Sequence, residues 1–164
     1  EIEVWLEFRR VLFRSRPGIM LYGSSPFSEA RYQKNLVPAM TLSSALISIK
    51  DFKKGQGIGY GSRFICEHDM QIGVVAVGYA DGYSRHAKDG TPVFINGTRA
   101  TIAGRVSMDM TTINLTGVPN PKIGDRVEMF GENIGINEVA EFSNTISYEI
   151  LSKITKRVYK QYQK

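Results

Sequence analysis

One cysteine, two histidines and one tryptophan in 164 residues leave few of the side chains that bind metals or form disulfides. Cys66 alone closes no intrachain disulfide and builds no cysteine zinc cluster. His68 and His86 have no partners at metal-ligand spacing, so no metal site is expected. No apolar run approaches the ~18 residues a membrane span needs. No secretory leader with a cleavage site is legible, and there is no internal repeat or low-complexity segment. These absences predict a soluble, reduced, cytoplasmic protein that contacts no membrane. What is present, 42% hydrophobic and 23% charged residues, suffices for one domain with a real core.

Negative charge is missing from one stretch. Residues 151–164 hold Lys153, Lys156, Arg157, Lys160 and Lys164 and no acid, which accounts for the whole net charge of +5. Cations at a helix C-terminus complement its negative dipole pole. The tail therefore reads as a solvated helix end rather than a nucleic-acid arm. No aromatic-flanked RNA motif accompanies it.

Residues 1–15, EIEVWLEFRRVLFRS, do not fit the rest of the chain. LEFRRVLFRS (6–15) resembles translated sequencing adapter, so 1–15 are expected to be foreign to the fold. The alternative is a native amphipathic segment. From Arg16 the pattern becomes orderly. Ile19–Tyr22 reads as a short apolar strand before the Gly23–Pro26 turn, and 27–38 as polar loop. Met40–Phe52 reads as a strand, with apolar residues at 40, 42, 47 and 49. Lys53–Gly61 has four glycines in nine residues, which predicts a tight, close-approach loop. Gln71–Gly78 contains a buried strand. Pro92–Ile95, Asn96-Gly97 and Thr98–Ile102 predict a hairpin. Ser107–Leu115 and Arg126–Phe130 read as further strands. Asn137 and Ser147 are the expected caps of two short helices. The sum is a mainly β chain, an antiparallel barrel or sandwich closed by short C-terminal helices.

Four stretches concentrate chemistry. Arg16-Pro17-Gly18-Ile19 offers backbone N–H groups at a glycine, as anion nests do. Gly57-Ile58-Gly59-Tyr60-Gly61 flanks a phenol with glycines, leaving it unshielded. Val77–His86, VGYADGYSRH, sets Tyr79 and Tyr83 beside Asp81 and Arg85. Gly104–Met110, GRVSMDM, carries an aspartate, Asp109, that is costly to bury without a partner. Taken singly, each is an ordinary turn or loop.

Together, RPGIMLYGSSPF (16–27), GIGYGSRF (57–64), VGYADGYSRHA (77–87), AGRVSMDMTTINL (103–115) and NTISYEIL (144–151) resemble the C-terminal part of the alanine racemases, in order and spacing. The resemblance covers 16–154. It implies an enzyme using pyridoxal 5'-phosphate (PLP) on a lysine of an N-terminal (β/α)8 barrel, followed by a β domain that completes the partner's site in a head-to-tail homodimer. On that pattern 16–38 are the last barrel strand and a linker, and 39–164 the C-terminal β domain. The PLP lysine lies in the missing part, so no turnover is expected from this chain alone.

The resemblance also implies roles. Arg16 hydrogen-bonds the pyridine nitrogen. A guanidinium stays protonated, so the ring is a weaker electron sink than one paired with a carboxylate. The Gly18 and Ile19 amides and the Tyr148 hydroxyl hold the phosphate. Tyr60 is the acid/base on the face opposite the lysine. A free phenol has a pKa of about 10, so it needs nearby positive charge or hydrogen bonds to act near neutrality. Met108 contacts the substrate carboxylate through its backbone. Tyr79 lines the substrate entrance, with the phenols of 77–86 placed there and Arg85 with Asp81 shaping the loop. The implied reaction interconverts L- and D-alanine for cell-wall precursors. Rivals are a broader amino-acid racemase of the same family and a non-catalytic β-barrel module binding through the basic tail.

Overall fold

The computed structural model describes residues 17–27 and 36–162; Arg16 and the segment 1–15 lie outside the described residues. These residues form eight strands: β1 (Leu42–Phe52), β2 (Gly57–Ile58), β3 (Phe64–Ile65), β4 (Met70–Val75), β5 (Pro92–Ile95), β6 (Thr98–Ile102), β7 (Thr111–Asn114) and β8 (Arg126–Phe130). Two helices come next, α1 (Ile136–Phe142) and α2 (Ser147–Lys153). Six strands close a barrel in the order β1-β4-β7-β6-β5-β8, every pairing antiparallel, with β8 returning to β1. Closure leaves these strands no free edge. Between barrel and sandwich, the barrel is the outcome.

β1 makes closure possible. Its first part pairs with β8 and its second with β4, and a register shift interrupts each pairing. Such bulges bend a strand and change which face its side chains meet. Leu46 is therefore fully buried and Ile47 is 44% exposed, whereas the apolar spacing places Ile47 inward. Val75, Val93, Ile95, Ile102, Ile113 and Val127 fill the interior with Leu46. Gly73 makes room for them: a Cβ there would lie 2.6 Å from Leu46 Cδ1 and 2.9 Å from Leu115 Cδ1.

The Asn96-Gly97 hairpin forms as expected, pairing Ile95 with Thr98. Both turn residues have positive φ, +47° and +75°, as a type I′ turn requires. Other expectations need correction. Ile19–Tyr22 is not a strand but lies in a 3-10 turn, Gly18–Tyr22. Among the described residues it has no strand to pair with, and short i to i+3 bonds satisfy its backbone instead, Met20 N–H to Pro17 O and Gly23 N–H to Met20 O. The Ser107–Leu115 strand shortens to β7, because Ser107 N–H donates to Met110 O and curls the first half into a turn. Asn137 and Ser147 are not N-caps: Gly135 and Ile146 hold those positions, and neither has a side-chain cap bond. Both polar side chains instead reach back to residues 24 and 25.

Glu128 in β8 is the one buried carboxylate among the described residues. Its Oε1 accepts from Asn133 N–H at 2.7 Å and Ile134 N–H at 3.0 Å, and its Oε2 from Asn133 Nδ2 at 2.8 Å. It thereby organises the turn that leads from the barrel into α1. Glu128→Ala leaves buried donors without acceptors and is expected to lose about 3 kcal/mol of stability. Glu128→Gln keeps an acceptor at the turn and should lose less. Urea unfolding of both variants checks this, and equal losses would contradict it.

Candidate active site

Tyr60 stands at the tip of the β2–β3 hairpin, in a 3-10 turn spanning Tyr60–Ser62. A small second core anchors the hairpin: Ile58, Cys66, Met70, Ile72 and Ala103, with Phe52 and Phe64 packed on it. Cys66 is a buried thiol used for packing. The hairpin rests on the Gly104–Met110 loop. Gly59 takes φ +72°, and a Cβ there would come within 3.3 Å of Arg105 N. Asp89 ties the two loops together. Its Oδ2 accepts from Arg63 Nε at 3.1 Å and its Oδ1 from Gly104 N–H at 2.6 Å. The phenol itself is 72% exposed, and among the described residues its hydroxyl has no hydrogen-bond partner. A rigid base thus presents an open phenol.

Tyr79 and Met108 come together through backbone. Tyr79 N–H donates to Ser107 O at 3.1 Å and Ala80 N–H to Met108 O at 2.9 Å. Gly78 permits the crossing, since a Cβ there would sit 2.3 Å from Met108 O. Asp81 Oδ2 accepts from Gly78 N–H at 2.9 Å and closes the turn on itself. Both side chains stay open, Tyr79 at 41% and Met108 at 53% exposure. Arg85 lies over the Tyr79 ring, 5.9 Å from its centroid, a cation–π distance. Among the described residues Asp81 and Arg85 each act within this loop without pairing with each other, and Asp81 also meets Arg157, with Nε at 3.5 Å from Oδ1. One expectation for the loop fails. Tyr83 is not at an entrance: it is buried in the barrel core, where burial pushes its phenol pKa up and keeps it protonated. Its aromatic ring serves packing, and nothing in the local sequence distinguishes the phenol that points inward.

Beside Arg85 opens a cleft of about 550 Å³. Arg63, Arg85, His86, Lys88, Arg105 and Lys153 line it against a single acid, Glu149. Lys153 Nζ hydrogen-bonds that acid at 2.5 Å and holds its carboxyl below the usual range. The unmatched charge makes this wall of the domain attractive to anions.

Gly18, Ile19 and Tyr148 form a second group. Ser24 and Ser25 place them. Ser24 Oγ donates to Asn137 Oδ1 at 2.5 Å and lies 3.2 Å from Ser147 Oγ, and Asn137 Nδ2 donates to Ser25 O at 2.9 Å. These bonds pin residues 24 and 25 onto the first turns of α1 and α2. Gly18, with φ +52°, then faces Tyr148: a Cβ there would lie 3.7 Å from the Tyr148 hydroxyl oxygen. The Gly18 and Ile19 amides thus lie at the start of a 3-10 turn beside the Tyr148 phenol. Ile19 is buried and fixes the turn, while Tyr148 is 45% exposed.

The six described candidates thus form two groups, Tyr60 with Tyr79 and Met108, and Gly18 with Ile19 and Tyr148. Among the described residues no hydrogen bond or ion pair joins one group to the other. Asp89 and Arg157 escape sequence reasoning, because each acts by bridging segments distant in the chain. The tail's cations are partly spent: Lys153 pairs with Glu149, and Arg157 with Asp81 and Asp109. Among the described residues no group of three or more His, Cys, Asp or Glu is placed to hold a metal, and no helix is long and apolar enough to cross a membrane.

Residues 39–162 match the family model described as alanine racemase, C-terminal domain. The chain is 48% identical over 147 residues to an alanine racemase of Mannheimia succiniciproducens, covering 90% of this chain and 41% of that relative. It is 52% identical over 145 residues to an alanine racemase of Burkholderia mallei, covering 87% and 41%. Among solved structures, the biosynthetic alanine racemase from Pseudomonas aeruginosa superposes with a TM-score of 0.86 at 46% identity, covering 90% of this chain and 41% of that one. An alanine racemase of Clostridium difficile 630 in complex with cycloserine gives 0.76 at 36% identity, covering 86% and 38%. The chain therefore spans about 41% of the length of the curated relatives it matches.

Proposed function

The chain belongs to the alanine racemase family, and on that premise we propose that it supplies the C-terminal domain of a cytoplasmic, PLP-dependent enzyme interconverting L- and D-alanine. The observation that supports this most is the Tyr60 phenol, 72% exposed at the tip of an anchored hairpin in a chain that matches the family's C-terminal domain. A phenol left open on its own domain is free to serve a site completed by a partner.

The residues fit PLP. Gly18 lacks the Cβ that would fill the space before Tyr148, and two amides and a phenol suit the oxygens of a phosphate. Gly18, Ile19 and Tyr148 would hold the phosphate, and Arg16 the pyridine nitrogen. When bound, PLP would supply an electron sink that acidifies the Cα hydrogen of an amino acid. Tyr60 would take or return a proton through its hydroxyl on the face of Cα opposite the barrel lysine. Two bases on opposite faces invert the centre without turning the substrate. Backbone at Met108 orients the substrate carboxylate in the partner's site, and Tyr79 lines the way in. The basic cleft beside Arg85 favours the approach of that carboxylate.

The phosphate assignment has a direct test. Tyr148→Phe in the longer enzyme removes one donor to a charged group and is expected to weaken PLP binding about tenfold or more. Reconstitution of the apoenzyme with PLP measures this. Unchanged affinity would remove Tyr148 from the phosphate site.

A further inference from the structure

We propose that Arg157, on the C-terminal tail, is a positioning residue that clamps the Tyr79 turn and the Met108 loop into one rigid unit and so sets substrate affinity. The role deepens the racemase reading and rests on its assignment of Tyr79 and Met108 to the substrate.

Three layers of backbone stack here. The Met108 loop carries the Tyr79 turn through the two backbone bonds from Tyr79 and Ala80. The tail crosses the other side of the turn. Thr155 N–H donates to Asp81 O at 3.1 Å, and Thr155 Oγ1 to Ala80 O at 3.0 Å. The crossing is close enough that a Cβ on Gly82 would lie 2.2 Å from Lys153 O. Arg157 then reaches across all three layers. Its Nη2 donates to Asp109 Oδ1 at 2.7 Å, and its Nε sits 3.5 Å from Asp81 Oδ1.

The two carboxylates are not equivalent. Asp81 is mostly buried, its side chain 16% exposed, and its other oxygen holds Gly78 N–H. Asp109 is half exposed and immediately follows Met108. A planar, permanently charged fork presents separate donors to both in a fixed geometry, whereas an ammonium carries its donors on one atom at the end of a flexible stem. Each isolated pair at this exposure is weak. Their value lies in geometry. The Tyr79 and Met108 side chains are partly open to solvent, and apart from the Arg85 contact on the Tyr79 ring their placement depends on the backbone beneath them. Arg157 adds a side-chain link between the two halves of that backbone.

The test compares Arg157→Met and Arg157→Lys with the wild type in the longer, PLP-loaded enzyme. Arg157→Met is expected to raise KM for alanine about tenfold with kcat within about threefold, the signature of lost binding contacts. Arg157→Lys should fall between. PLP content should not change. Amide exchange at 78–82 and 107–110 should accelerate about tenfold in Arg157→Met while the barrel strands stay protected. A KM within about twofold of wild type overturns the proposal, as does a joint loss of kcat, PLP and thermal stability. If Arg157→Met does not fold, Asp109→Ala decides, since it removes the Arg157 acceptor beside Met108 and leaves the Asp81 contact intact: unchanged KM and unchanged exchange overturn the clamp. A wild-type enzyme without alanine racemisation would sink the functional reading instead, and the exchange measurement would still judge the clamp.

Discussion

Tyr60→Phe in the longer enzyme is expected to lower kcat for alanine racemisation by about 100-fold or more, the scale of a positioned acid/base group. PLP content should stay at the wild-type level. The two halves of this expectation come from different parts of the structure. The ring at position 60 stands on a hairpin held by its own small core, so removing one oxygen leaves the hairpin in place. The hydroxyl has no hydrogen-bond partner among the described residues, so its loss costs the fold nothing. The proposed phosphate cradle is Gly18, Ile19 and Tyr148, and none of these is hydrogen-bonded to Tyr60, Tyr79 or Met108 among the described residues. A variant that lost PLP and activity together would show Tyr60 to be a cofactor ligand. One that kept both would show it to be a bystander. The difference between directions is informative too. Loss of a base that acts on one face only should slow deuterium wash-in from one enantiomer more than from the other.

Gly82→Ala is expected to destabilise the domain by about 2–5 kcal/mol, combining backbone strain with overpacking. Gly82 has φ +103°, and its missing Cβ would sit 2.2 Å from Lys153 O and 2.6 Å from Ile154 Cα. The nearest atoms it would meet are all backbone of the tail, so no flexible side chain can yield. Gly97→Ala is the natural control. It also sits at positive φ, +75°, but nothing lies within 4 Å of its Cβ position. It should lose only about 1 kcal/mol. Urea unfolding of the two variants separates strain from collision. If they lose the same, the tail does not press on the Tyr79 turn. Any Gly82→Ala enzyme that still folds should show a raised KM, because lifting the tail also lifts Arg157 from Asp81 and Asp109.

Much of the fold is local and therefore legible. Asn96-Gly97 announces its hairpin because few residue pairs accept positive φ twice in succession. Arg126–Phe130 and the α2 helix follow from apolar spacing. Closure of the sheet is not local. Whether β8 returns to β1 depends on pairings between opposite ends of the domain, as between Leu42 and Phe130, and strand spacing alone is the same in a barrel and a sandwich. Bulges in β1 hide the parity change that buries Leu46 and exposes Ile47. The 3-10 turn at Gly18–Tyr22 has the composition of a strand and differs only in having no described neighbour to pair with.

The candidate site divides along the same line. Glycine-flanked Tyr60 is conspicuous because glycine on both sides has few other uses. Tyr79 and Tyr83 have equivalent neighbours along the chain, yet one is open and the other is core. Arg157 reads as one more cation in a basic tail, and only the folded chain brings it to two distant aspartates, Asp81 and Asp109.

The central claim is that Tyr60 of one subunit serves a site whose lysine belongs to the other. Mixed dimers test it most directly. One full-length chain carries Tyr60→Phe; the other keeps Tyr60 and has its PLP lysine replaced by alanine. Each is inactive alone. If Tyr60 acts across the interface, the mixed dimer contains one intact site, and random reassociation should restore about a quarter of wild-type activity. If Tyr60 acts within its own subunit, both sites of the mixed dimer are broken, and no activity returns.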